Sequence, residues 1–136
     1  MNRNGTFTTL AACAALALSG CADSTRDLYE GEQTEADVLP EDVAVEGEDW
    51  DTNTSRLLAS HDGHKFYAFA STTEGDCLLT YDVQAPENWV VGCGTAGPLG
   101  TTGPTGVKTK FDPVGLPEKT TAGWTRLTPE LEVTGT

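Results

Sequence analysis

The chain has 136 residues, with 21 Asp and Glu against 8 Lys and Arg, for a formal net charge of −13. That length allows one modest domain, and the shortage of clustered Lys and Arg excludes a nucleic-acid binder, which needs them to neutralise phosphates. Hydrophobic residues at 38%, with 15 Gly and 7 Pro, allow a small core of strands and turns but not a large two-layer enzyme or a helix bundle.

Residues 1–20 read as an export signal and are set aside from fold reasoning. Arg3 and the terminal amine supply the positive start, and Phe7 to Leu18 form a mainly apolar run. A bilayer-spanning helix needs roughly 20 apolar residues, so this run is too short for a comfortable permanent span. It ends in Leu18-Ser19-Gly20-Cys21. That tetrapeptide resembles the lipobox of bacterial lipoprotein signal peptides. The resemblance implies cleavage before Cys21, a diacylglycerol on its sulfur, and a fatty-acyl chain such as palmitate where the new amino group is modified. Two or three acyl chains anchor firmly where one anchors marginally. The mature chain is therefore expected at the cell membrane, held by lipid at Cys21 and facing the extracytoplasmic side. An ordinary secretory signal would place it on the same side.

Residues 21–51 form the next unit, an acidic tether. Twelve Asp and Glu stand between residues 22 and 51 against the single cation Arg26. Such a stretch repels itself and buries little apolar surface, so extended or disordered chain is the expectation, suited to a spacer behind a lipid anchor. Leu39, Val43, Val45 and Trp50 interrupt it and offer apolar side chains for docking back on the domain. No Asp-x-Asp-x-Asp-Gly loop with a distal Glu marks a calcium site.

Residues 52–136 read as a small β domain. Arg56–Ser60, His64–Ser71, Cys77–Val83 and Asn88–Cys93 are short runs rich in aromatic or β-branched residues, separated by turn residues. Asp62-Gly63 is a two-residue hairpin signal, because both central positions of a type I′ turn need positive φ. It pairs His61 with His64, Ala59 with Phe66 and Leu57 with Ala68. Placing Cys77 opposite Cys93 sets Leu79 against Val91, Tyr81 against Trp89 and Val83 against Glu87, with the first three pairs on one face. Thr80, Asp82 and Gly92 then make the other face mainly polar. With Cys13 leaving in the signal and Cys21 taken by lipid, Cys77 and Cys93 remain as a pair in an oxidising compartment, and a Cys77–Cys93 disulfide is expected.

Val107-Lys108-Thr109-Lys110-Phe111 alternates as a strand with Val107, Thr109 and Phe111 on one face, its two Lys suiting an exposed edge. Gly123–Leu127 and Glu130–Val133 are weaker strand candidates. The fold class is thus mainly β: a small antiparallel sheet or meander with one disulfide, preceded by the acidic tether.

Gly92-Cys93-Gly94-Thr95-Ala96-Gly97 matches G-x-G-x-x-G, yet Pro98, Gly100, Gly103, Pro104 and Gly106 follow, and no pyrophosphate-binding helix tolerates them. Residues 92–106 are read as a flexible, Ω-like loop, a place where binding sites occur. His61-Asp62-Gly63-His64 brings two imidazoles and a carboxylate to a hairpin tip. That makes an incomplete metal site without a third firm ligand, and a metal-binding envelope lipoprotein is the alternative reading. There is no Gly-x-Ser-x-Gly, and the two His are the only bases near neutral pH, so binding is favoured over catalysis and no cofactor or metal is assigned. Phe66 and Tyr67 point to opposite faces, leaving one aromatic available to a ligand.

The body also resembles small lipoproteins of high-GC Gram-positive bacteria, in Asp37-Val38-Leu39-Pro40, in Arg56-Leu57-Leu58, and in Cys77-Leu78-Leu79 partnered by Trp89-Val90-Val91-Gly92-Cys93. The likeness spans most of residues 35–133 with loose motifs and implies no particular activity. The expected role is a membrane-anchored extracytoplasmic lipoprotein whose β domain binds an envelope protein or a small ligand.

Overall fold

The computed structural model describes residues 28–44 and 47–135. The signal (1–20), Leu18-Ser19-Gly20-Cys21, Cys13, the first tether residues and Val45 lie outside them.

Two antiparallel four-stranded sheets form the fold. The first runs β1 (Trp50–His61), β2 (His64–Ser71), β3 (Gly75–Asp82) and β4 (Trp89–Gly94), paired in chain order. The second contains β5 (Leu99–Thr102), β6 (Lys108–Phe111), β7 (Thr125–Thr128) and β8 (Leu131–Thr134), in the order β5-β6-β8-β7. β1 starts two residues before the expected domain boundary.

The hairpin registers follow from the turn and the disulfide. Asp62 at φ 46° and Gly63 at φ 76° form the tight turn, and His61 opposes His64. Cys77 opposes Cys93, Leu79 opposes Val91 and Tyr81 opposes Trp89, and the Cys77–Cys93 bond is formed. Two pairings differ from expectation. Leu57 faces Tyr67 rather than Ala68, because the register shifts between Leu57 and Ala59. The bulge turns Leu57 to the disulfide side of the sheet while Leu58 and Ala59 pack on the other side. Val83 and Glu87 do not extend the β3–β4 ladder. The Val83 amide instead donates to the Gly63 carbonyl.

Both faces of the first sheet are buried, so its strands lack the polar alternation of a half-exposed sheet. On one face Phe66, Ala68 and Leu78 pack against Val107, Phe111, Leu131 and Val133 of the second sheet. The face expected to be polar is thus the one between the sheets, and Thr80 is fully buried there. On the other face Tyr67, Phe69, Leu79 and Cys77 are covered by Leu39 and Val43, the latter on the short helix α1 (Glu41–Ala44). Trp50 joins them, its ring 4.9 Å from that of Phe69 and 6.3 Å from that of Trp89. Neither Phe66 nor Tyr67 is left for a ligand, since both are buried.

The acidic stretch is therefore part of the fold from Leu28 to Ala44, docked through the apolar interruptions Leu39 and Val43. Its backbone is held by polar contacts that an irregular β1 makes available. The ladder breaks between Asp51 and Arg56, freeing the Thr52 and Ser55 carbonyls, and Gln33 Nε2 donates to them at 2.9 and 3.2 Å. Arg56 reaches the carbonyls of Tyr29 and Gly31, each at 2.7 Å. The strap's Glu30, Glu32, Glu35, Glu41 and Asp42 stay at the surface, and its one half-buried carboxylate, Asp37, is hydrogen-bonded, which is how a charged segment docks without leaving a buried charge unpartnered.

In the second sheet Val107, just before β6, and Thr109 and Phe111 on it point inward as expected, but β6 is not an edge strand: β5 and β8 flank it. Lys110 rests its ammonium 4.1 Å above the Trp124 ring. β5 lies within the stretch read as an irregular loop. Leu99 and Thr101 turn partly inward while Gly100 and Thr102 stay exposed, so pairing with β6 overrides the low strand propensity of the Gly-rich sequence.

Candidate functional site

The hairpin tip of β1 and β2 carries the two imidazoles, but they take different partners. His61 is half-exposed, with Nε2 3.1 Å from the Asp62 carboxylate. His64 is 5% exposed, and its Nε2 lies 3.1 Å from Thr105 Oγ1. Among the described residues no group of three or more His, Cys, Asp or Glu converges to hold a metal. The tip thus brings His61 and Asp62 together and draws His64 into the protein.

His64 is buried because it heads the β2 face that looks toward the second sheet, with Phe66 next on that face and its ring 6.2 Å away. Above it passes the turn Pro104–Gly106, where Thr105 sits at φ 61°, ψ 8°. A β-branched residue in the left-handed region is a true outlier, costing about 1–3 kcal/mol. The Thr105 hydroxyl donates to the Pro104 carbonyl at 2.6 Å, so His64 Nε2 must be the donor toward Thr105 Oγ1. His64 Nδ1 has no hydrogen-bond partner, and neither has Thr80 Oγ1. Phe66 pairs with Thr80 and His64 with Asp82, so these two buried atoms belong to neighbouring positions of one sheet face.

An open groove of about 320 Å³ runs beside this turn, lined by Asp62, His64, Asp82, Gln84 and Thr105 and by Gly135 near the C-terminus. Asp82 Oδ1 accepts the amides of Gln84 at 2.9 Å and Ala85 at 3.3 Å, which orients the carboxylate at the groove wall. Two carboxylates, an amide, a hydroxyl and the His64 imidazole line the groove, and among the described residues no Lys or Arg does. The arrangement suits a partner that donates hydrogen bonds. Within it the Thr105 hydroxyl is directed at the Pro104 carbonyl, and His64 Nδ1 has no hydrogen-bond partner.

The opposite end of the sandwich holds the Gly92–Gly97 motif. β4 runs through Gly94 and the chain turns into β5, so no helix starts there to receive a phosphate. A smaller cavity of about 190 Å³ lies at this end, among Asp76, Gly94, Leu99 and Asp112. Tyr29 of the strap donates to Asp76 at 2.7 Å.

Sequence reasoning identified His61, Asp62 and His64 and put Thr80 and Asp82 on one polar face without linking them to the tip, and it missed Thr105. Pro104-Thr105-Gly106 has turn composition, yet nothing in it signals that the positive φ falls on Thr105 as well as on Gly106. No helix among the described residues is long and apolar enough to cross a membrane. Compared with protein-family models, curated proteins and solved structures, the chain has no significant match.

Proposed function

We propose that this chain is a lipid-anchored extracytoplasmic protein, acylated at Cys21, whose β domain serves binding rather than catalysis. The observation that carries the reading is the cysteine accounting. Cys77 and Cys93 are joined, as suits an oxidising compartment; of the other two, Cys13 lies in the apolar run of the export signal and Cys21 is left for the lipid that Leu18-Ser19-Gly20-Cys21 calls for. The acceptor-lined groove at the hairpin tip supports a binding role, with a small hydrogen-bond donor or an envelope protein as partner. Fractionation of cells expressing the wild-type chain and Cys21→Ala tests the anchor. The wild type should partition with membranes and the variant should be soluble; equal membrane retention of both would overturn the proposal.

A further inference from the structure

The docked strap changes how far the domain can stand from its anchor. A spacer from Cys21 to Asp51 would span up to about 100 Å when extended. With the chain packed on the sheet from Leu28 onward, only the residues between Cys21 and Leu28 separate lipid from fold, a reach of at most ~25 Å. The attachment point is also defined. The Tyr29 and Gly31 carbonyls accept from Arg56 on β1, the outer strand of its sheet, the Tyr29 hydroxyl donates to Asp76 near the start of β3, and Gln33 donates to the irregular stretch of β1. The tip groove lies at the far corner, reached by crossing the sheet from β1 and moving along it toward Asp62 and Thr105.

We infer that the β1 flank faces the lipid surface and that the corner bearing Asp62, Asp82 and Thr105 is presented away from it. This inference rests on acylation at Cys21. A leash of this length is comparable with the sheet itself, so the flank from which it leaves is on average the part nearest the headgroups. Glu30 and Glu32 beside the exit point are exposed and acidic, so charge does not draw this flank onto anionic lipid, and the short connection to Cys21 is what holds it nearest the surface. The strap thus acts as an orienting device: it turns an otherwise free-swinging domain into one with a proximal and a distal side.

Energy transfer from the domain to the bilayer tests this. Full-length acylated protein is reconstituted in phosphatidylcholine vesicles carrying a trace of headgroup-labelled acceptor. A donor dye is placed on Asn53→Cys or on Glu87→Cys, both exposed positions, with the Cys77–Cys93 bond intact. The two sites are roughly 20–25 Å apart by strand spacing and rise. Transfer from Asn53→Cys should exceed that from Glu87→Cys. An insertion of about twenty Gly and Ser residues between Asp27 and Leu28 should abolish the difference by freeing the domain to tumble. Protein that floats with the vesicles but transfers equally from both sites, or keeps its difference after the insertion, would overturn the orientation while leaving the anchor in place. Protein that does not float would remove the anchor and the orientation with it.

Discussion

The Asp37 carboxylate accepts the backbone amide of Leu57 at 2.9 Å, joining the acidic strap to the bulge of β1. Its other oxygen accepts the amide and the hydroxyl of Thr34, each at 2.8 Å. One carboxylate thus closes the turn of the strap and satisfies an amide that the outer strand would otherwise leave unpaired. Burial works to raise the pKa of Asp37, but the amides of Thr34 and Leu57, the Thr34 hydroxyl and the nearby Arg56 outweigh it, so the net direction is downward.

A carboxyl group with a depressed pKa contributes stability that is present above its unfolded value, near 3.9, and is lost as pH falls through the folded value. The strap should therefore loosen below about pH 4, before the two-sheet core does. Asp37→Ala should mimic this at neutral pH and cost about 1–2 kcal/mol in urea unfolding. The same variant has a spectroscopic readout. Burial, then Tyr81 and Asp37, push the Tyr67 hydroxyl above its ordinary pKa. Absorbance titration should show Tyr67 ionising at lower pH in Asp37→Ala than in the wild type. An unchanged titration together with unchanged stability would mean that Asp37 does not hold the strap.

The Cys77–Cys93 bridge is expected to be structural. Closing a loop of 16 residues' separation contributes roughly 3 kcal/mol in the chain-entropy account. Cys77 is fully buried beneath the strap, so native protein should resist reduction that unfolded protein undergoes readily. Alkylation with a mild reductant, with and without urea, measures this. The paired Cys77→Ala/Cys93→Ala variant should lower the urea midpoint, and an unaltered midpoint would count against a stabilising role.

These elements differ in how legible they are from sequence. The β3–β4 register and the start of the β1–β2 register were readable because a cysteine pair and a two-residue turn each fix alignment locally, leaving one choice of face, whereas nothing of that kind marks the β2–β3 register. β1 was readable only near its turn. The shift at Leu57–Ala59 is set by the need to place Leu57 under the strap and Leu58 between the sheets, a demand that arises from elements far along the chain. β5 was hidden because Gly100 weakens every local cue, and it exists through its partner β6. The strap was hidden by its own charge. Composition weighs every residue of an acidic segment alike, whereas docking depends on a few side chains, among them Leu28, Tyr29, Gln33, Asp37, Leu39 and Val43. The buried neighbours of His64 were illegible for the same reason, since they meet only when the β5–β6 turn crosses the first sheet.

Two glycines separate a backbone need from a packing need. Gly75 has φ +87°, and a Cβ there would lie 2.4 Å from the Gly94 carbonyl oxygen, a backbone atom that cannot step aside. Gly97 has φ +73° with nothing within 4 Å. Gly97→Ala should therefore cost only the left-handed penalty, about 1 kcal/mol. Gly75→Ala should cost that plus the displacement of β4, ~2–4 kcal/mol in all. Paired urea melts of the two variants check the ordering, and equal losses would mean that the β3–β4 contact is looser than its geometry implies.

Arg126 and Glu132 are cross-strand partners on β7 and β8, and the guanidinium meets Glu132 Oε1 through both Nε and Nη2. Glu132 is 3% exposed, and Arg126, about a quarter exposed, is its ion-pair partner. Arg126 also donates to the Pro117 carbonyl at 2.6 Å, which ties the long loop before β7 to the sheet. Removing one member of a buried pair leaves an uncompensated charge, and Arg126→Met should cost about 3–5 kcal/mol. Replacing both, as Arg126→Met with Glu132→Leu, removes the stranded charge and should recover most of that loss, because the attraction of a buried pair is largely offset by its desolvation. Thermal or urea unfolding of both singles and the double gives the coupling energy directly. A double variant as unstable as Arg126→Met would show that the loop anchor at Pro117, not the ion pair, is what Arg126 contributes.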